Sequence, residues 1–433
     1  MTTYKKNSIS LTGAVGLGTG VMISAGIFAL LGQVADLSGS WFPLMFILGG
    51  IVTGFSAYSY IKLSQEYPSA GGIGMFLVKA YGKGTAAATA SLLMAFSMVI
   101  NQSLVARTFG TYTLQLFGDD PHDFWIPLLG VGLLAFAFLV NLSGNAFIQS
   151  FTSIFSLIKI FGLSLFAIAA LSVVGFSFAP ASGGQSDISI TWQSCMASIA
   201  LTVLAFKGFT TITNSGSEIK HPKRNIGKAI FISILISLIV YLLLAWAVSS
   251  NLGIEQILKA KDYALAEAAR PALGEGGVWL TVGIAMIATV TGIIASVFAV
   301  SRMLAMLTDM KLIPHRHFGM PGSIQKHTLV YTIVIAMALT IVFDLSRIAS
   351  MGAILYLVMD MMIHWGVYHK LKGKVEARRG IVLGALVLDG AVLAAFCYVK
   401  ILTDSHIVWI SALVILLILA GEKKYLQKSL QKS

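Results

Sequence analysis

Residues 20–28 read GVMISAGIF, inside an apolar run that extends from 13 to 37. Gly20, Ser24 and Gly26 fall within seven residues. Together they weaken a helix where lipid offers no partner for a freed backbone N–H or C=O. The pattern recurs in a later apolar run, LAFKGFTTITNSGSE at 204–218, where Gly208 follows Lys207 and precedes Thr210, Thr211, Thr213 and Asn214. Small residues in membrane helices also serve close packing. Two such interruptions at matching places favour the other reading, a binding site near the bilayer midplane.

Matching places presuppose a membrane protein, and composition supplies one. The 433 residues are 57% hydrophobic and 11% charged, with mean hydropathy +0.84. A soluble chain of this length needs charged surface that is missing here. Apolar segments long enough for a hydrocarbon core of about 30 Å recur throughout, so an all-α polytopic membrane protein is expected. The alternating short strands of a membrane β-barrel do not occur. Twelve spans are expected, at about 13–37, 42–64, 84–117, 124–143, 148–178, 191–217, 226–250, 275–310, 327–344, 347–369, 380–402 and 405–421. No linker or low-complexity tract divides them, so 1–433 reads as one transmembrane domain. The first and sixth spans are five apart. They correspond if spans one to five (about 13–178) and six to ten (about 191–369) are repeats, with two extra helices at about 380–421.

The net charge of +12 reads as topology rather than nucleic-acid binding. Placing the N-terminus in the cytoplasm puts 22 of the 30 basic residues at the inner face. Among them are Lys5, Lys6, Lys220, Lys223, Arg224, Arg302, Arg316, Lys370 and Lys432. Both termini are therefore expected to be cytoplasmic, in the cell membrane. No cleavable signal peptide is evident. Cys195 and Cys397 lie in apolar segments and suggest neither a disulfide nor a metal site. No nucleophile or metal spacing supports an enzyme, and no cofactor is expected beyond a coupling proton. The external loop 251–275 contains a helix-like run, 254–270, which either lies over the outer mouth or is simply solvated.

Several charges fall at membrane depth, where they are functional candidates by default. Lys159 is alone in SFTSIFSLIKIFGLSLFAIA, 150–169. Burial disfavours its charged form and nearby carbonyl oxygens favour it, so a lysine there can load and release a proton. Lys207 reads either as a carboxylate partner or second cation, or as a side chain turned away from the pocket. Arg107 is close enough to the outer interface to snorkel. Asp360 could pair with Arg302 or bind a proton. Asp389 suggests a structural pair, and His364 and His369 sit too near the inner face to suggest a relay.

Four stretches together resemble one family. GVMISAGIF at 20–28, YPSAGGIGMFLVKAYGK at 67–83, AFKGFTTITNSGSEIKHPKRNIGKAI at 205–230 and SRMLAMLTDMKLIP at 301–314 resemble signatures of the amino acid–polyamine–organocation permeases. The resemblance implies a LeuT-like fold of twelve helices: two inverted five-helix repeats, helices one and six broken, plus two extra helices. It implies secondary active amino-acid transport by alternating access, here expected to be proton symport. In a proton-coupled member of that family, a helix-five lysine replaces a sodium ion. By that match Lys159 takes the role, with the carbonyls of Gly20 and Ile23 as partners. Thr289 would supply a hydroxyl, with Thr291 as second choice.

The substrate would lie between the breaks. The N–H groups of Ser24, Ala25 and Gly26 suit its carboxylate, and the backbone around Phe206, Lys207, Gly208 and Phe209 suits its ammonium. Phe206 is a candidate gate, and Met98 and Asn101 form a wall. Thr210 stands where the family often has an acid, Gly74-Met75 where an aromatic is common, and Lys207 is unusual for a broken segment. No further acid adjoins the breaks, which favours neutral substrates, while Lys207 leaves acidic ones open. The partners expected are the amino acid and membrane lipid, with no nucleic acid. An exchanger of the same fold, or a permease-like nutrient sensor, is the alternative.

Overall fold

A computed structural model describes residues 8–69, 71–117, 124–142, 145–177, 181, 190–313 and 324–430. Lys5, Lys6, Ala70, Pro314, Arg316 and Lys432 lie outside these, as do the side chains of Ala25 and of 145–154. The described residues are helical, with a single isolated bridge between Ile9 and Ile219. Among them, ten helices are long and apolar enough to cross a membrane.

The first span is two helices, α1 (Leu11–Met22) and α2 (Ala25–Ser38). The Ser10 hydroxyl caps α1 by accepting from the Gly13 N–H. Between the helices, Ile23 and Ser24 leave helical geometry (ψ 63° and −109°). Spans two to five are α3 (Phe42–Glu66), α5 (Thr85–Leu114), α6 (Trp125–Leu142) and α7 (Asn145–Val173), with the short α4 (Gly72–Tyr81) joining α3 to α5. Pro43 sits in the first turn of α3, where its missing N–H costs nothing.

Span six is α8 (Trp192–Phe206), a 3₁₀ turn at Lys207–Phe209, and α9 (Thr210–Asn214). The interruption takes the form of a 3₁₀ turn. The Thr210 hydroxyl donates to the Lys207 carbonyl at 2.9 Å and the Thr211 hydroxyl to the Gly208 carbonyl at 2.7 Å. The threonines thereby satisfy backbone that unwinding would have stranded, and the chain narrows instead of opening.

Span seven is α10 (Pro222–Asn251). The 251–275 segment folds as α11 (Ile254–Lys259) and the first part of α12 (Ala264–Asp309), which turns at Gly274 (φ 67°) into span eight. It is packed rather than merely solvated: the Gln33 amide of α2 donates to Asp262 at 2.5 Å, and Lys261 pairs with Asp36 at 3.7 Å. Burial raises the Asp262 carboxyl above its ordinary range, opposed by Lys261 and the Gln33 bond. Spans nine and ten are α13 (Ile324–Val342) and α14 (Leu345–Trp365). Spans eleven and twelve run through α15 (Arg379–Leu430), divided by non-helical Asp404 (φ −150°).

At the end that holds residue 9, the Ile9 N–H donates to Glu218 O, and Lys220 N–H to Ile9 O, both at 2.9 Å. Glu218 is ion-paired with Arg302 there. At the opposite end, Arg107 donates to the carbonyls of Thr340 (2.9 Å) and Phe343 (2.5 Å), the unsatisfied C-terminus of α13.

Candidate functional site

The break at Ile23–Ser24 redistributes the last carbonyls of α1. In an unbroken helix the Ser24 N–H would serve Gly20. Here it donates to Met22 O at 2.9 Å, and the Ser24 hydroxyl donates to Val21 O at 2.5 Å. The carbonyl of Gly20 is left for the ammonium of Lys159, which donates to it at 2.7 Å. Lys159 also donates to the hydroxyl of Thr291, on α12, at 3.0 Å. One fully buried cation thus joins α1, α7 and α12. One residue turn along α7, the Ser156 hydroxyl donates to Gly16 O at 3.0 Å.

Thr291 supplies this hydroxyl and Thr289 does not. Both hydroxyls donate into their own helix, Thr289 to Ala285 O (2.7 Å) and Met286 O (3.0 Å) and Thr291 to Ile287 O (2.7 Å), but the Lys159 ammonium reaches Thr291. Two residues along a helix are about 200° apart, so only one of the pair can face α7. Ile23 is buried at the break, and the contacts of Lys159 run to Gly20 and Thr291.

The two interrupted spans meet at Gly208. A Cβ there would stand 2.5 Å from Met22 N and 2.9 Å from Val21 C, so only a glycine lets the 3₁₀ turn press on the end of α1. Beside this contact lies a small cavity. Val21 and Gly26 line it from the first span, Met98 and Asn101 from α5, and Leu204, Ala205, Lys207, Gly208, Thr210 and Thr211 from the sixth. Ser296 of α12 and Tyr356 of α14 complete its polar wall. The Asn214 amide reaches Met98 Sδ at 3.8 Å, and the Gln102 amide reaches Ser296 at 3.4 Å.

Of the residues expected at the substrate, Gly26, Met98, Asn101, Lys207 and Gly208 line this cavity. Ile23, Ser24, Phe206 and Phe209 are buried beside it. Phe206 does not line the cavity. Its ring packs on Tyr241 of α10 at 5.0 Å, and the Tyr241 hydroxyl contacts Met22 O (2.6 Å) and Ala205 O (3.1 Å). Phe209 packs edge-on against Tyr60 at 5.3 Å. Ala25 opens α2, whose first turn has no side-chain cap from Ser24. Uncapped N–H groups at that position give the α2 N-terminus a partial positive charge.

Lys207 turns out of the cavity toward α3 and α14. Its ammonium is ion-paired with Asp360, and both are buried. The Asp360 carboxylate also accepts from Tyr60 (2.6 Å) and Ser56 (3.2 Å). Lys207 donates to Ser56 at 3.3 Å and lies over the rings of Phe209 and Tyr60 at 5.4 and 5.9 Å. Arg302 is taken by Glu218, so Asp360 pairs with Lys207 instead. Asp389 pairs with His364 at 2.9 Å. His364 is fully buried.

A family model for amino acid permeases matches residues 9–426. The chain belongs to that family. It is a multi-pass membrane transporter and not an enzyme. An uncharacterized protein of Methanocaldococcus jannaschii is 29% identical over 93% of this chain and 92% of its own. The inner membrane transport protein YbaT of Escherichia coli is 29% identical over 90% of each chain. An uncharacterized transporter of Mycobacterium tuberculosis is 30% identical over 71% of this chain and 67% of its own. Sequence reasoning missed Ser296, Tyr356 and Tyr241. Tyr356 stands four residues before Asp360, hence on the same helical face, and that spacing was available in the sequence.

Proposed function

We propose that this permease is a proton-coupled symporter of neutral amino acids that works by alternating access through a LeuT-like arrangement of repeats. It would reside in the cell membrane with both termini in the cytoplasm, as the basic-residue bias favours. The observation that carries the coupling is the Lys159 ammonium on Gly20 O and Thr291 Oγ1. Protonated, it ties α7 and α12 to the end of α1. A neutral amine holds that carbonyl less strongly, because hydrogen bonds from a charged donor are roughly twice as strong. Loss of the proton would free the broken helix to move, and with it the cavity wall.

The substrate's carboxylate would meet the N-terminus of α2 near Gly26, and its ammonium the polar wall of Asn101, Thr210, Ser296 and Tyr356. The Asp360 pairing neutralises Lys207, which removes the reason to favour an acidic side chain. The cavity carries no unpaired charge among the residues named as its lining, which supports neutral substrates of small to medium size. Uptake of each of the twenty amino acids into reconstituted vesicles, at two external pH values, tests this. The expected result is accumulation of neutral amino acids that rises with acid outside. Counterflow with no net uptake under a pH gradient would point to exchange, and neither uptake nor counterflow of any of the twenty would refute the assignment.

A further inference from the structure

The cavity's lysine leads into a second buried cluster. Asp360 holds Lys207, Ser56 and Tyr60, and one turn further along α14, His364 bridges two other helices. Its Nδ1 contacts Ser59 Oγ of α3 and its Nε2 contacts Asp389 Oδ2 of α15, each at 2.9 Å. Tyr60 joins the halves. Its hydroxyl is on Asp360, and its ring lies edge-on to His364 at 6.4 Å. Lys207 is 2% exposed, and Asp360, His364 and Asp389 are 0% exposed. The titratable and charged groups facing the His364–Asp389 pair are Tyr60 from α3, Lys207 from the 3₁₀ turn and Asp360 from α14, with Tyr356 of α14 beyond them beside Asp360 and Tyr60. His369 is exposed and stacked on Trp365.

The charge count of this cluster does not close. It holds two carboxylates, Asp360 and Asp389, but one lysine. With His364 neutral, the cluster carries a net negative charge inside a membrane-spanning bundle, where an uncompensated ion is strongly disfavoured. One further proton restores neutrality, and the 2.9 Å His364–Asp389 contact is where it fits. Either the imidazole carries it as a doubly donating cation, satisfying Ser59 and Asp389 together, or the Asp389 carboxyl donates to Nε2.

We infer that His364 and Asp389 form a second proton-binding site, separate from Lys159, completed by the Lys207–Asp360 pair at the cavity wall. It holds one exchangeable proton and ties α3, α14 and α15 to the interrupted sixth span. If the chain is a proton-coupled transporter, as proposed above, this proton lies one ion pair away from the substrate. The binding site itself does not depend on that reading.

Infrared difference spectroscopy on the lipid-reconstituted protein, stepped between about pH 5 and 8, where an ordinary histidine changes charge, tests the site directly. Lys159→Ala serves as background, which removes any proton held at Lys159. The expected result is a one-proton change in imidazole or carboxyl bands in Lys159→Ala, lost when Asp389→Asn is added. In Lys159→Ala with His364→Gln the proton has only Asp389 to occupy, so the change should appear as a protonated-carboxyl band alone. No band change in Lys159→Ala, or one that Asp389→Asn leaves untouched, overturns the inference. Should Asp389→Asn fail to fold, Asp389→Glu added to Lys159→Ala with His364→Gln decides: a carboxyl band that moves in frequency with that substitution supports the site, and a spectrum it leaves unmoved refutes it. Because Lys159 is absent throughout, these outcomes are independent of whether that lysine couples transport.

Discussion

Thr291→Val tests the lysine contact at the level of one hydroxyl. The substitution is nearly isosteric and removes the acceptor that stands 3.0 Å from Lys159 Nζ, leaving Gly20 O at 2.7 Å as the other named partner. A hydrogen bond to a charged group contributes about 1.5–3 kcal/mol. The neutral amine also bonds the threonine hydroxyl, though more weakly, so the lower end applies to the difference between the two protonation states. About 1.4 kcal/mol is a factor of ten. The proton concentration needed for half-maximal uptake should therefore rise roughly tenfold, with the maximal rate at saturating acid little changed. Thr289→Val is the control, because its hydroxyl serves only Ala285 O and Met286 O of its own helix among the contacts described. Initial uptake rates into proteoliposomes across external pH measure both. A Thr291→Val profile within twofold of wild type, or a larger shift in Thr289→Val, would refute the geometry.

Other expectations follow from packing and charge. Gly208→Ala places a methyl 2.5 Å from Met22 N, and the backbone shift it forces should cost about 1–3 kcal/mol and abolish uptake while the protein still purifies folded; full uptake would contradict the contact. Breaking the buried Lys207–Asp360 pair by Lys207→Met alone should cost about 3–5 kcal/mol in thermal unfolding, and adding Asp360→Leu should return much of it. Equal melting of the single and double variants would exclude that pair as a structural tie. Asp262 has a carboxyl raised by burial. Its contribution is therefore fully present below the ordinary aspartate range and is lost as pH rises through the raised value. Asp262→Asn keeps an acceptor for Gln33, so its melting temperature should vary less with pH across that window than wild type, as scanning fluorimetry would show.

The membrane class and the two interruptions were legible because their causes are local. Gly20, Ser24 and Gly26 weaken a helix whatever surrounds them, and the Lys159 ammonium was visible as a charge without local company. The form of the second interruption was not legible. Thr210 and Thr211 looked like companions of a break, yet their hydroxyls bond back to Lys207 and Gly208 and hold the chain in a 3₁₀ turn. Choosing Thr291 over Thr289 needed the rotation of α12 about its axis, which depends on how it packs against α1 and α7. The partners of Lys207 and His364 come from α3, α14 and α15, at sequence separations of 151 and 153 for Ser56 and Asp360, and 305 and 25 for Ser59 and Asp389. No local pattern ties such residues together. Only the tertiary fold turns Asp360 toward Lys207 and lets Glu218 take Arg302.

The central claim is that the proton on Lys159 drives accumulation. Its most direct test is uphill uptake of a neutral amino acid into proteoliposomes under an inward proton gradient, comparing wild type with Lys159→Ala, alongside substrate counterflow with no gradient. The account predicts that wild type concentrates substrate above the external level. Lys159→Ala should lose that accumulation while keeping measurable counterflow. Undiminished, gradient-dependent accumulation in Lys159→Ala would contradict it.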